Sequence, residues 1–65
     1  MPDFRATNLG SLIALRPISD DAKQWCTDHL PDDAQWFAGA VAIEPRYFEP
    51  IYEGILEDGL SFAET

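Results

Sequence analysis

Basic residues are scarce in this 65-residue chain, in which four Lys or Arg stand against twelve Asp or Glu. The resulting formal net charge of −8 repels nucleic acid phosphates and anionic lipid headgroups. Direct binding of DNA, RNA or a membrane surface is therefore disfavoured. A basic surface on another protein would be attracted instead, and we expect the partner to carry one.

Cysteine is almost absent, and Cys26 alone provides neither a disulfide framework nor an all-cysteine metal cage within one chain. No apolar run approaches the ~18 residues of a membrane span, and Met1-Pro2-Asp3-Phe4 lacks the features of a signal peptide. We therefore expect a cytoplasmic protein. No Gly-rich phosphate loop or calcium-loop spacing occurs, so neither a cofactor nor a metal is expected.

Aromatic residues are abundant by contrast, at 12% of the chain, and their regular spacing argues against intrinsic disorder. A domain of this size buries only about 60% of the surface that its unfolded chain exposes. Its stability is therefore marginal without help. A homodimer is a reasonable expectation for such a small fold.

The first half of the chain contains signals for an arm, a strand and a helix. Residues 1–11 show no clear period and are predicted to form a flexible N-terminal arm, from which Phe4 docks on the body. Residues 12–65 form the single domain. The apolar run 12–18 predicts a buried strand. Ser19 then occupies an N-cap position, and apolar residues at helical spacing predict a helix that ends before Pro31.

The second half contains signals for a loop or turn, a strand, a helix and a final short strand. Residues 31–39 are compatible with either a helical turn or an ordered loop, and residues 40–43 predict a short strand. A stronger helix follows from Pro45 through Asp58, although Pro50 allows it to begin later. Gly59 is typical of a helix end, and Leu60, Phe62 and Glu64 suggest a final short strand.

The order strand-helix-strand-helix-short strand predicts a single α/β domain, with a small α+β fold as the alternative. Right-handed crossovers would place both helices on one face of a small sheet.

Three glutamates, Glu49, Glu53 and Glu57, follow one another at intervals of four residues on the second predicted helix. No Lys or Arg lies three or four positions from Glu53 or Glu57, so the like charges repel one another. Asp58 also opposes the negative end of the helix dipole. This pattern indicates a face that binds a basic partner, and the alternative is a solvated surface that only keeps the protein soluble.

Two further sets of residues are candidates for partner binding. Asp32 and Asp33 suit a turn after Pro31, but they would also extend the negative surface into one resembling the phosphates of a nucleic acid. Trp36, Tyr47 and Tyr52 are candidate interface aromatics, because a core this small rarely hides every aromatic ring. Packing of the other aromatics in the core, with the Tyr hydroxyls in water, is the alternative.

Catalysis is not expected. Cys26 and His29 lie three residues apart on one predicted helix face, but no further catalytic group accompanies them, and core packing explains both. Gly54 is unusual inside a helix, where it costs about 1 kcal/mol relative to Ala. A close crossing of another helix or strand would account for it.

The stretch from Asp33 to Phe48 contains the pairs Trp36-Phe37 and Arg46-Tyr47, and the stretch from Ile51 to Leu60 contains Asp58-Gly59. With these features, roughly residues 12–62 resemble small uncharacterised acidic proteins of bacterial, plasmid and phage genomes. The resemblance implies no activity and no site residues, but such genes are often accessory genes of mobile elements, which include inhibitors of host defence enzymes, some of them DNA mimics.

The predicted function is that of a small acidic interaction module that binds a basic protein surface through its acidic helix face. In its most specific form the module is an inhibitor that mimics DNA. The alternative is a homodimeric structural or assembly module with an aromatic interface. The salt dependence of binding distinguishes these two functions, because added salt weakens charge contacts by screening and leaves apolar interfaces intact.

Overall fold

Six elements follow one another in the computed structural model, which describes residues 2–63. They are β1 (Phe4–Asn8), β2 (Ile13–Pro17), α1 (Asp20–His29), β3 (Trp36–Phe37), β4 (Ala40–Ile43) and α2 (Pro45–Glu57). The four strands form one antiparallel sheet in the order β1-β2-β4-β3. The chain is therefore a small mixed α/β domain, as predicted.

The connections include a tight hairpin between β3 and β4 that the sequence analysis did not predict. Ala38 and Gly39 both adopt positive φ angles, 49° and 80°, which is the geometry of a two-residue type I′ hairpin turn. This turn folds β4 back between β2 and β3. Helix α1 connects β2 to β3. These two strands consequently run in the same direction, but the antiparallel strand β4 lies between them.

The N-terminal segment is part of the sheet, so the prediction of a flexible arm is wrong for residues 4–8. These residues form β1, which pairs with β2 from Phe4↔Pro17 to Asn8↔Ile13. As predicted, Phe4 docks on the body and is fully buried. The connecting turn has a recognisable local signal, because the Asn8 side chain accepts a hydrogen bond from the Gly10 N–H at 2.8 Å and Gly10 has a φ of 94°.

Helix α1 begins and ends where local chemistry predicts. The Ser19 hydroxyl accepts a hydrogen bond from the Ala22 N–H at 3.0 Å, and Asp20 and Asp21 lie in the first turn. Leu30 forms the C-cap, and Pro31 prevents continuation of the helix.

Helix α2 begins at Pro45 rather than near Pro50, and the proline inside the helix is accommodated on its exposed side. At its C-terminus the Leu60 N–H donates to the Ile55 carbonyl at 3.1 Å and the Gly59 N–H to the Leu56 carbonyl at 3.0 Å. With Gly59 at a φ of 82°, this is the Schellman arrangement that the position of Gly59 predicts.

The predicted final strand is reduced to one bridge. Phe62 pairs in parallel with Phe4, and the Ala63 N–H donates to the Phe4 carbonyl at 2.7 Å. This contact covers part of the outer edge of β1. Glu64, which the prediction included, lies outside the described residues.

One face of the sheet carries the core. The cross-strand register places Phe4, Leu15 and Val41 on the same face, and these side chains are buried against both helices. The remaining members of the buried cluster are Ala22, Trp25, Cys26, Ile43 and Ile55. Both helices therefore pack on this one face, as predicted, and no helix among residues 2–63 covers the opposite face of the sheet.

Gly54 lies against the Trp25 side chain. The close crossing of another helix or strand that the sequence predicts at this glycine is not what lies there. A Cβ built on Gly54 would lie 3.5 Å from Trp25 Cζ2, which is an ordinary van der Waals contact. Since Gly costs about 1 kcal/mol relative to Ala inside a helix, we expect Gly54→Ala to stabilise the fold by about 0.5–1 kcal/mol. Urea unfolding measures this difference, and a lower midpoint for the variant would contradict it.

The Asp3 carboxylate joins three segments, because it accepts hydrogen bonds from the Ser19 hydroxyl at 2.6 Å and from the Ser61 N–H at 3.0 Å. These bonds, the one from Ser19 first, hold the pKa of Asp3 below its usual value. A depressed folded pKa adds stability that is present above the unfolded pKa, about 3.9, and is lost as the pH falls through the folded value.

We therefore expect Asp3→Asn to be less stable than the parent at pH 7, with the difference shrinking as the pH falls below 4. Urea unfolding of both proteins between pH 7 and pH 2 measures this trend. Asp28→Asn, on the exposed surface of α1, is the matched control. A difference that stays constant across this pH range would show that the Asp3 charge has no role.

Candidate functional site

The acidic stripe, defined as Glu49, Glu53 and Glu57, lies on the exposed side of α2. Ile55 points into the core from the same helix, and the 100° step per residue directs the three glutamates away from the sheet. Successive members lie one turn apart, about 6 Å along the axis. All three are exposed, and in the described part of the chain none has a hydrogen-bond or salt-bridge partner.

The nearest cation on α2, Arg46, is directed elsewhere. Its Nε donates to Glu44 at 2.9 Å, and its guanidinium lies 4.9 Å from the centre of the Tyr47 ring. The stripe consequently keeps the like-charge repulsion that its sequence predicts.

Asp58 has a partner inside the fold. It accepts a hydrogen bond from the Trp25 indole N–H at 2.6 Å, and its carboxylate lies 3.7 Å from His29 Nε2. These contacts fasten the end of α2 to α1 and offset the unfavourable position of a carboxylate at a helix C-terminus. The structure thus gives Asp58 a role in holding the helices together, beside the predicted role in partner binding.

Asp32 and Asp33 lie in the turn after α1 and are exposed. Asp32 borders a groove beside α1 that also contains Lys23 and Trp36. Asp33 borders a second groove, which reaches Tyr47 at the start of α2. Neither groove is lined by a member of the acidic stripe.

The three candidate interface aromatics are all exposed, with fractional exposures of 49% for Trp36, 55% for Tyr47 and 40% for Tyr52. Each of them lines a different groove. Tyr52 is the one that borders the acidic stripe, since it lines a small hollow together with Glu49.

A groove lined by both polar and apolar surface lies between α2, β1 and the C-terminal segment, and its volume is about 700 Å³. We call it the Tyr52 groove, and it is lined by Ala6, Phe48, Tyr52, Leu56, Ser61, Phe62 and Ala63. Tyr52 and Phe62 pack with ring centres 4.8 Å apart, while Leu56 is 45% exposed. Sequence reasoning missed Leu56, although it follows Tyr52 by the four residues that place both on one helix side.

The open sheet face, opposite the helices, is a second feature that sequence reasoning missed. The register places Arg5, Thr7, Ala14, Arg16, Phe37, Ala40 and Ala42 there. Arg5 and Arg16 are direct cross-strand neighbours. The Arg16 side chain extends toward Gly39, where a Cβ would lie 2.8 Å from Nη1. The sequence signal that could have revealed the open sheet face is the alternation along β2, where every second residue is buried.

His29 contacts Trp25 rather than forming a pair with Cys26. Its ring stacks on the indole with centres 4.2 Å apart, and Nδ1–H donates to the Trp25 carbonyl at 3.0 Å. Cys26 is buried in the core, and this burial raises the pKa of its thiol to about 11. Cys26 thus has the core-packing role that the sequence favours, whereas His29 is exposed and packs on the outer side of Trp25 instead of in the core.

Comparison of the chain with protein-family models, curated proteins and solved structures gave no match. The resemblance to small acidic proteins of mobile elements therefore remains a prediction. Between Pro2 and Ala63, neither helix is long and apolar enough to cross a membrane. In the same range, no three His, Cys, Asp or Glu side chains are grouped so as to hold a metal ion.

The environment of Cys26 predicts slow alkylation. With a thiol pKa of about 11, only about one thiol in a thousand is ionised at pH 8, whereas a free cysteine with pKa ~8.5 is substantially ionised. We expect iodoacetamide to label the folded protein about 100-fold more slowly than the protein unfolded in urea, as measured by mass spectrometry. Equal rates would show that the thiol in the folded protein is as accessible and as readily ionised as in the unfolded chain, which would contradict its burial.

Proposed function

We propose that this protein is an acidic interaction module, and that its acidic stripe binds a basic surface on another protein. The observation that carries the proposal is the arrangement of three exposed glutamates, one turn apart, with no cationic partner among residues 2–63. Each like-charge pair at this spacing costs a few tenths of a kcal/mol in the isolated helix. A basic partner would convert this cost into attraction.

The neighbouring Tyr52 groove supports the same proposal. Charge contacts at an exposed surface contribute little by themselves, with a median of about 0–1 kcal/mol per pair. Most binding energy at protein interfaces comes from apolar anchors in pockets. An apolar side chain of the partner, seated between Tyr52 and Leu56, would supply this energy while basic residues beside it contact the stripe.

In its most specific form, the module mimics a nucleic acid toward a protein that normally binds one. The net charge of −8 supports this form, since the same field that repels phosphates would steer a basic nucleic-acid-binding site toward the stripe. The competing idea of a homodimeric module with one aromatic interface has less support, because Trp36, Tyr47 and Tyr52 line three separate grooves.

Charge-matched variants test the proposal. The stripe variant combines Glu49→Gln, Glu53→Gln and Glu57→Gln, and the control variant combines Asp20→Asn, Asp21→Asn and Asp28→Asn on α1. Each changes the net charge from −8 to −5, because three negative charges are removed. Partners captured from a lysate by the parent protein are purified, and their dissociation constants for all three proteins are measured at several salt concentrations.

We expect the stripe variant to bind at least about 10-fold more weakly, while the control variant stays close to the parent. The parent's affinity should fall as salt rises. Removing two like-charge pairs should also raise the thermal midpoint of the stripe variant by about 2–4 °C, which shows that the loss of binding is not unfolding. Equal affinities for the three proteins would leave the stripe as a solubilising surface.

A further inference from the structure

The open sheet face contains two of the four basic residues of the chain, and they lie side by side. Arg5 and Arg16 are direct cross-strand partners, so their Cα atoms are about 4.5–5.5 Å apart. Like charges in this position destabilise a sheet. Both arginines are exposed, no acidic residue of the four strands shares the face, and within residues 2–63 neither has a salt-bridge partner.

Apart from Thr7, the other side chains on this face are apolar, and Ala40 among them is buried. Ala14 and Ala42 are cross-strand partners at its centre, and their small side chains allow another molecule to approach the sheet closely. Phe37, 45% exposed, stands at one side opposite Ala40. The face therefore combines a pair of unneutralised cations with an apolar floor and one aromatic ring.

We propose that the open sheet face binds the acidic stripe of a second copy of this chain. The two surfaces are complementary, because the stripe supplies carboxylates without cations and the face supplies cations without carboxylates. Each also has an apolar flank, Tyr52 and Leu56 beside the stripe and Phe37 with Ala42 on the face. Planar guanidinium groups bind carboxylates in two-point contacts, which suits this pairing.

The two surfaces lie on opposite sides of the molecule, so the contact is head-to-tail. The stripe points away from the sheet on the helix side, and the arginines lie on the other side of the sheet. A head-to-tail contact between identical chains repeats from copy to copy and produces a ring or an open filament instead of a two-fold dimer.

We expect the contact to be weak, because this small chain has little surface to bury. An interface of standard size would take about 800 Å² from each partner, which is almost a fifth of the 4440 Å² surface of this chain. The net charge of −8 on each copy also opposes approach at long range. At about 0.15 M salt the screening length is near 8 Å, so the long-range repulsion is reduced while pairs in contact persist. Self-association should therefore be strongest at intermediate salt.

This inference shares the stripe with the proposed function but depends in addition on Arg5 and Arg16. In the assembly the stripe is covered, so self-association competes with binding of a basic partner. A variant that changes only the sheet face separates the two, because it removes self-association and leaves the stripe free for another protein.

Sedimentation equilibrium of the full chain, from about 10 µM to 1 mM, tests the inference at low, intermediate and high salt. The face variant combines Arg5→Glu with Arg16→Glu, and its control combines Lys23→Glu with Arg46→Glu. Both carry a net charge of −12, because two positive charges become negative in each. The reversed-stripe variant combines Glu49→Lys, Glu53→Lys and Glu57→Lys.

We expect the parent and the control to associate near 0.15 M salt, and the face variant and the reversed-stripe variant each to associate at least about 10-fold more weakly. An equimolar mixture of these two variants should associate again. The acidic face of the face variant then meets the basic stripe of the reversed-stripe variant, and the unchanged stripe of the first meets the unchanged face of the second. This rescue also demonstrates that both variants are folded. A monomeric parent at every concentration and salt, a face variant that associates like its control, or a mixture without rescue would overturn the inference.

Discussion

The contacts of the Trp25 indole hold the two helices and the sheet together. The ring meets Phe4 of β1 edge-on, with centres 6.0 Å apart, and it covers Gly54 of α2. Its N–H donates to Asp58 at the end of α2, and His29 stacks on its outer side. Among residues 2–63, ten hydrophobic side chains and Pro17 are buried. One side chain that joins three elements therefore accounts for a large part of the packing, and an aromatic ring of this size contributes several kcal/mol when buried.

This arrangement explains the two-sided character of the surface. Because both helices are held on one face of the sheet, the polar side of α2 faces water, and the acidic stripe comes with it. In the described part of the chain no helix covers the other face of the sheet, and Arg5 and Arg16 are both exposed there. A chain with a strong negative net charge thus has one local basic surface, on the side opposite its acidic stripe.

Local signals predicted the helices and the central strands. Ser19, Pro31 and Pro45 act on the nearest turn of backbone, and the buried positions of β2 and β4 are apolar in sequence. β1 and β3 were missed for two reasons. Their pairing depends on strands or turns elsewhere in the chain, and most of their residues are exposed, so they show no clear alternation of apolar and polar residues. The stripe was predicted because helical periodicity alone brings Glu49, Glu53 and Glu57 together. The same periodicity did not reveal that Asp58 is engaged by Trp25, 33 positions earlier in the chain.

The sequence by itself determined the boundaries of α1, the C-terminal end of α2, the acidic stripe and the net charge, since each depends on residues within a turn or two or on composition. Only the tertiary structure decided the strand order, the place of β1 at the edge of the sheet, and the meeting of Arg5 with Arg16 across two strands. The type I′ turn at Ala38 and Gly39 illustrates the division, because its local geometry places β4 beside β2 only when β2 offers a paired register. Strand pairing joins residues distant in sequence, and its outcome depends on the packing of the whole chain.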